Sequence, residues 1–259
     1  MKIELNNIYN GDCLDVMKDI PDNTIDCVIC DLPYGTTEAD WDTVIPMDKL
    51  WAEYDRVCTS TANILLFGSE PFSTTLRMNK LDIYKYDLVW IKNRPTGFFH
   101  AQNMPLKDYE LISVFSYGSM GHKNLLKEKR MTYNPQGLIK THKTTYNFLR
   151  KMGGLYKPRP SHKDTVVSEL TNYPSMTLYF NVDTSHIHET AKPVDLLRYL
   201  VLTFTNENDV VLDNTCGGGS TLIACIKEKR RFIGIEKDTE IYNTAKKRIE
   251  QECRQLTLF

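Results

Sequence analysis

From residue 210 to 221 the chain reads Val210-Val211-Leu212-Asp213-Asn214-Thr215-Cys216-Gly217-Gly218-Gly219-Ser220-Thr221. The apolar run at residues 210–212 predicts a strand. Three glycines then make a turn, and residues 220–229 carry a helical pattern. Strands alternating with helices along the chain point to an α/β fold with a mostly parallel sheet. Glycines let the backbone approach a ligand closely, and the free N–H groups of a helix start can bind an anion. The pattern is not the dinucleotide fingerprint, because Leu222 stands where the third glycine belongs. A phosphate-binding P-loop is excluded too, since no Gly-Lys-Ser/Thr follows. The alternative is a plain strand-to-helix turn, which three consecutive glycines disfavour. Residues 232–235 predict the next strand, ending at Glu236, where a carboxylate can accept both hydroxyls of a ribose. The pair reads as a site for a nucleoside-containing cofactor.

The rest of the chain supports the same architecture. Residues 7–9, 25–30, 64–67, 86–91 and 111–115 read as strands. Residues 50–57, 194–204 and the segment after Asp238 read as helices, Asp238 being a candidate N-cap and Ile241, Ala245 and Ile249 sharing a face. Seven cysteines, an odd number, lie mostly in apolar segments and read as reduced, buried thiols. Cys27 and Cys30 form a C-x-x-C, but residues three apart in a strand face opposite sides, so no metal site is expected. No apolar run is long enough to span a bilayer, and the N-terminus lacks a signal-peptide core, so a cytoplasmic protein is expected.

A second motif, Asp31-Leu32-Pro33-Tyr34, follows the strand at 25–30. Asp and Pro end strands often, so a simple turn is one reading. The other is chemical. A carboxylate and a backbone carbonyl in a Pro-stiffened loop can accept both hydrogens of an exocyclic amine, drawing its lone pair out of conjugation. Tyr34 can stack on the base.

These residues resemble the amino-methyltransferases of DNA, whose signature is [DNS]-P-P-[YFW], and the resemblance covers most of the chain. Asp31, Pro33 and Tyr34 match, and Leu32 replaces a proline at a position that contributes mainly its carbonyl. The run from Asp213 to Thr221 is similar to the family's cofactor motif, with Asn214 in place of an aromatic or apolar residue. His188-Glu189-Thr190-Ala191-Lys192-Pro193 matches H-x-T-x-K-P. The order, with the catalytic motif first and the cofactor motif last, is that of the β group. The resemblance implies a Rossmann-like, mostly parallel sheet of the S-adenosylmethionine-dependent methyltransferase type, circularly permuted, with an inserted target-recognition region. It implies S-adenosyl-L-methionine as cofactor, held by Asp12 or Cys13 at the adenine, Glu236 at the ribose, Gly217 and Gly219 in the turn, and Asp31 and Asp213. Lys192 and Ser220 or Thr221 would lie near the methionine carboxylate. The expected reaction is methylation of the 6-amino group of a flipped adenine, because Asp in the first motif position accompanies adenine more often than cytosine. Methylation of cytosine N4, of RNA or of a protein amide, and an inactive clamp-associated DNA-binding protein, are the alternatives. Trp41 and Asp42 either gate the base or anchor their loop.

Between residues 118 and 170 eleven lysines and arginines face three acids, an excess of eight positive charges in a chain whose net charge is −1. Such a segment is either a footprint for phosphates or a solvated basic surface. With the motifs around it, the first reading makes residues 118–187 the target-recognition insertion. Lys123, Lys127, Lys129, Arg130, Lys140, Lys143, Arg150 and Lys151 are its candidate contacts to double-stranded DNA. Residues 1–117 and 188–254 are then the catalytic and cofactor halves of the core. The tail at 255–259, Gln255-Leu256-Thr257-Leu258-Phe259, is either a helix end or, being similar to Q-L-x-L-F docking peptides, a tether to the bacterial sliding clamp. A homodimer and a companion restriction enzyme are further expectations.

Overall fold

The computed structural model describes residues 2–35, 42–121, 126–146, 165–182 and 191–257. Trp41, Lys123, Arg150, Lys151, His188, Glu189, Thr190, Leu258 and Phe259 lie outside the described residues. The chain forms two compact units, Met1–Asn134 with Met176–Phe259, and Pro135–Ser175. The basic segment expected at 118–187 therefore contributes to both.

The first unit is built on one eight-stranded sheet. In chain order its strands are β1 (Asn7–Asn10), β2 (Ile25–Cys30), β3 (Cys58–Gly68), β4 (Tyr84–Thr96), β5 (Lys107–Ser116), β8 (Thr177–Tyr179), β9 (Val210–Asp213) and β10 (Arg231–Glu236). Across the sheet they run β1-β10-β9-β2-β3-β5-β4-β8. Neighbours from β1 to β3 are parallel, β5 is antiparallel to both β3 and β4, and β8 is parallel to β4. Helices α1 (Cys13–Met17), α2 (Met47–Val57) and α3 (Phe72–Asn79) bury Val16, Leu50, Tyr54 and Leu76 in one core. Helices α4 (Val194–Phe204), α5 (Ser220–Lys227) and α6 (Thr239–Thr257) bury Leu197, Val201, Leu222 and Ala245 in the other.

The unbroken apolar strands have a simple cause. Cys27 and Ile29 of β2 point into the second core while Val28 and Cys30 point into the first. In β9, Val211 and Leu212 divide the same way. Each strand is sandwiched, so both parities must be apolar. Cys27 and Cys30 accordingly sit on opposite faces, and six of the seven thiols are buried. Among the described residues no cluster of His, Cys, Asp or Glu could hold a metal. Asp238 caps α6 as expected, its Oδ1 accepting from the amides of Glu240 and Ile241 at 2.8 and 2.9 Å.

From β9 the chain passes through α5 to β10 on one side, and from β2 through α2 to β3 on the other. Adjacent parallel strands whose connections diverge leave a crevice at their carboxyl ends. The second unit is an antiparallel pair, β6 (Ile139–Tyr146) and β7 (Thr165–Thr171).

Candidate active site

Four acids expected at the site follow or end parallel strands at one edge of the sheet: Asp12 after β1, Glu236 at the end of β10, Asp213 at the end of β9, and Asp31 after β2. The glycine turn lies among them. Gly217 and Gly219 take φ of +50° and +79°, a region that side chains other than glycine's seldom adopt. A Cβ on Gly217 would meet nothing within 4 Å, whereas one on Gly219 would lie 3.3 Å from the Cβ of Ala245 on α6. One glycine therefore keeps space open and the other lets two helices meet.

Backbone amides set the acid beside this turn. Gly217 N–H donates to Glu236 Oε2 at 2.9 Å, and Asp238 N–H to Oε1 at 2.8 Å. Each oxygen keeps a free lone pair for a further donor. Burial raises the Glu236 pKa, against the pull of the two amides. Gly11 N–H donates to the Glu236 carbonyl at 3.0 Å, bringing Asp12 and Cys13 alongside. Asp12 caps α1 through Leu14 N–H at 3.0 Å and lies 3.3 Å from the Lys237 ammonium. Burial pushes the Cys13 thiol up to about 11, with a hydrogen bond to Asn214 opposing it.

Asn214, the departure from the family pattern, is buried and accepts from Tyr54 O–H at 2.6 Å. It pins the turn to α2. Ser220 Oγ is buried and without a partner among the described residues. Asp213 is buried, and burial raises its pKa to about 7, with hydrogen bonds from Thr221, Thr215 and Cys30 opposing the shift.

The Asp31 loop is held by side chains instead. Tyr34 O–H donates to Asp31 Oδ1 at 2.6 Å, and the Lys192 ammonium donates to Oδ2. Lys192 is also 3.4 Å from Glu110 Oε2 on β5, and Lys92 on β4 pairs with Glu110 Oε1. With 12% and 14% of their side chains exposed, Lys192 and Glu110 interact in a shielded place. Burial disfavours the Lys192 cation, but Asp31 and Glu110 outweigh it and its pKa rises. Burial would raise Glu110, yet Lys192 and Lys92 bring it below the ordinary value. Lys192, expected near the methionine carboxylate, thus sits on Asp31. Tyr34, expected to face a base, packs on Phe72 with ring centroids 4.8 Å apart. Leu32 is buried in the core, which explains an apolar residue there. Asp42 is buried and accepts from Gly35 N–H at 2.9 Å, so it anchors the loop.

The two halves meet at Thr215, whose hydroxyl donates to the Asp31 carbonyl at 2.8 Å and lies 2.9 Å from Cys30 Sγ. Sequence reasoning passed over Thr215, Glu110, Lys92 and Phe72. Only Glu110 left a signal, an acid at the head of the apolar run at 111–115.

The candidate phosphate contacts divide between the units. Lys127, Lys129 and Arg130 belong to the first, where Lys127 and Lys129 are exposed. Lys140 and Lys143 are exposed on β6 in the second. Residues three apart on a regular strand face opposite sides, but β6 carries a register shift here. Lys140 pairs with Leu170 and Lys143 with Ser168, so the bulge puts both lysines on one face. At the tail, the backbone from Gln255 to Thr257 continues α6. No helix among the described residues is long and apolar enough to cross a membrane.

Residues 25–247 match the family described as DNA methylase, the N6 and N4 amino-methylases. The chain belongs to this DNA methylase family. The methylase is 26% identical to the type II methyltransferase M1.MboII of Moraxella bovis over 256 residues, covering 94% of this chain and 96% of that protein. It is also 26% identical to the DNA adenine methyltransferase YhdJ of Escherichia coli K12 over 260 residues, 95% of this chain and 83% of that protein. Among solved structures, the M1.HpyAVI–SAM complex shares its fold with a TM-score of 0.61 at 22% identity, covering 93% of this chain and 98% of that one. The PvuII DNA methyltransferase, described as cytosine-N4-specific, does so at 0.63 and 10% identity, covering 97% and 92%.

Proposed function

We propose that this DNA methylase transfers a methyl group from S-adenosyl-L-methionine to the 6-amino group of an adenine turned out of double-stranded DNA. The observation that carries the reading is the hydrogen bond from Thr215 to the Asp31 carbonyl, which couples an amine-accepting loop to a glycine turn shaped for a nucleoside cofactor. The chain order of the two motifs fits the permuted β group.

S-adenosylmethionine supplies an electrophilic methyl group on a sulfonium. The residues present fit it: Glu236 has spare lone pairs, Gly217 leaves open space, and Ser220 Oγ is a buried polar atom with no partner among the described residues. Glu236 would hold the ribose hydroxyls, Asp12 and Cys13 the adenine, and Asp213, Ser220 and Thr221 the amino-acid end.

A base inside the stack cannot present its amine to the crevice, so it must rotate out. The Leu32 carbonyl and an Asp31 oxygen would accept the two amine hydrogens. Oδ2 becomes available as Lys192 moves toward Glu110. With the methyl donor bound in the crevice, Asp31 would take the proton that the amine nitrogen loses on being methylated. Positioning and charge placement make up most of the acceleration.

Lys140 and Lys143 on one face of β6, with Lys127, Lys129 and Arg130, would hold phosphates, which position a protein without reading sequence. The expected tail docking on a sliding clamp would require the last turn of α6 to unwind. Deleting residues 255–259 should then abolish clamp binding, and equal binding by both forms ends that idea.

Adenine is favoured by Asp31 and by the description of YhdJ, and cytosine N4 by the fold likeness to the PvuII enzyme. Incubation with unmethylated duplex DNA and methyl-labelled S-adenosylmethionine, then digestion to nucleosides, decides. Label in N6-methyladenine supports the reading. Label in N4-methylcytosine keeps the mechanism and overturns the base. No label in DNA overturns both.

A further inference from the structure

The turn between β4 and β5 presents apolar surface that no described residue covers. Phe99 is 101% exposed, the most exposed large apolar side chain among the described residues, and Phe98 and Met104 are 66% and 58% exposed. The segment nevertheless has a defined shape. Gly97, at φ +91°, starts a short 3-10 turn at Phe98–His100, closed by His100 N–H to the Gly97 carbonyl at 2.9 Å and Met104 N–H to the His100 carbonyl at 3.0 Å.

Topology puts this turn at the chemical edge. β5 is antiparallel to both β3 and β4, so β4 runs with β3 and β2 and delivers its carboxyl end to the side where Asp31 lies. The base of the turn is tied to the site through Lys92 and Glu110, the latter beside Lys192. At about 3.3 Å per strand residue, Lys107 is roughly 10 Å from Glu110, a span comparable with the major-groove width.

Charge says what would cover it. From Lys92 to Lys107 the sequence contains Lys92, Arg94, His100 and Lys107 and no acid. Arg94 is exposed and makes no ion pair among the described residues. Apolar rings framed by cations complement a duplex, with its phosphates outside and flat apolar bases inside. A second copy of the same turn would oppose cation to cation.

We propose that residues 97–106 form a wedge that enters the duplex as the target base leaves, Phe98 and Phe99 stacking in the vacated space and Arg94 meeting a flanking phosphate. The proposal rests on the base-flipping reading above. Apolar wedges that unstack a base step are a known way to hold bent or opened DNA. An aromatic stacked on a base contributes roughly 5- to 150-fold in equilibrium.

The test compares the full chain with its Phe98→Ala/Phe99→Ala variant on one DNA, native or heat-denatured. Cofactor affinity is followed by calorimetry. The expected result is at least a tenfold fall in kcat/KM on duplex, less than twofold on denatured strands, and an unchanged Kd for S-adenosylmethionine. Equal losses on both substrates, or none on duplex, overturn the wedge. So does a variant that keeps its duplex rate while the protein changes from dimer to monomer, because the rings then cover a second copy. A Phe99→Trp variant gives a readout independent of turnover. Its added fluorescence should be quenched by duplex DNA, and unchanged emission with DNA bound refutes insertion. Wild-type protein that labels no DNA at all overturns the underlying reading instead, before any variant is compared.

Discussion

The loops after β9 and β2 leave the same edge of the sheet from equally buried strands, yet they are built differently. The turn from Asn214 to Gly219 is shaped by its backbone, with two positive φ angles and an amide donated to Glu236. The loop from Asp31 to Gly35 is shaped by side chains from elsewhere: Lys192 ahead of α4, Thr215 after β9, Asp42 across the loop, and Phe72 on α3. A backbone-made site holds its form when a side chain changes. A side-chain-made site can rearrange as a substrate arrives. The first suits a methyl donor that is bound in the same way at each turnover, the second a base that must be turned into place and released.

The largest expected effect is on the side-chain loop. Asp31→Ala removes the carboxylate proposed to accept the amine and its proton. Proton-transfer groups contribute about 10²- to 10⁴-fold, so methyl incorporation should fall by that factor while calorimetry gives an unchanged Kd for S-adenosylmethionine. A cofactor affinity that collapses with turnover would dissolve the distinction between the loops. Next comes Glu110→Gln, which leaves Lys192 and Lys92 short of a carboxylate. Removing one partner of a buried ion pair costs about 3–5 kcal/mol at the upper end, so thermal unfolding should shift downward. The kcat should drop more than tenfold because Lys192 can no longer leave Asp31 for Glu110. An unchanged kcat in a folded variant would show that Lys192 does not move during the reaction.

The same contrast explains what could be read from the chain. The glycine turn, Glu236 and the sandwiched strands were legible because each is written in consecutive residues: an apolar run, a turn, an acid at the next strand's end. Helix α4 and strand β2 match their expected limits because apolar spacing alone sets them. Lys192 was noticed, but its position on Asp31 was not, since residues so far apart in sequence meet only through the sheet order. Glu110 and Lys92 were missed for the same reason. Helix α3 is short and buries only Phe72, Ser73 and Leu76, too few for a clear period. The β6–β7 pair is rich in Thr and Lys, so its pairing comes from backbone bonds without an apolar stripe.

The backbone-made turn invites a smaller, sharper experiment. Gly219→Ala forces a Cβ to 3.3 Å from Ala245 at a left-handed φ, whereas Gly217→Ala bears the backbone strain with open space around it. That strain costs roughly 1–2 kcal/mol in either case, and overpacking adds about 1–3 kcal/mol at Gly219. Thermal melting should therefore show Gly219→Ala clearly less stable than Gly217→Ala. Cofactor titration should show the reverse order of harm per unit of stability lost, because the space at Gly217 is the space a ligand would use. Equal melting temperatures would mean that α6 yields to the added methyl.

The last expected effect depends on pH and concerns Asp213. Burial raises its carboxyl to about 7 in the folded protein, from 3.8 in the unfolded chain. Between those values the folded state holds a proton that the unfolded state has released. This contribution to stability is therefore full below pH 4 and is lost as the pH rises toward 7, with a slope of at most about 1.4 kcal/mol per pH unit. Cofactor binding should run the other way. S-adenosylmethionine carries an ammonium and a sulfonium, and a cation near Asp213 favours its ionised form, so affinity should strengthen as the pH rises through 7. Linkage then requires binding to release protons near pH 7, which appears as a binding enthalpy that varies with the ionisation enthalpy of the buffer. Asp213→Asn should flatten both the affinity profile and the buffer dependence. If the wild type shows neither, Asp213 is a buried structural acid, and the amino-acid end of the cofactor is held by Ser220 and Thr221 without it.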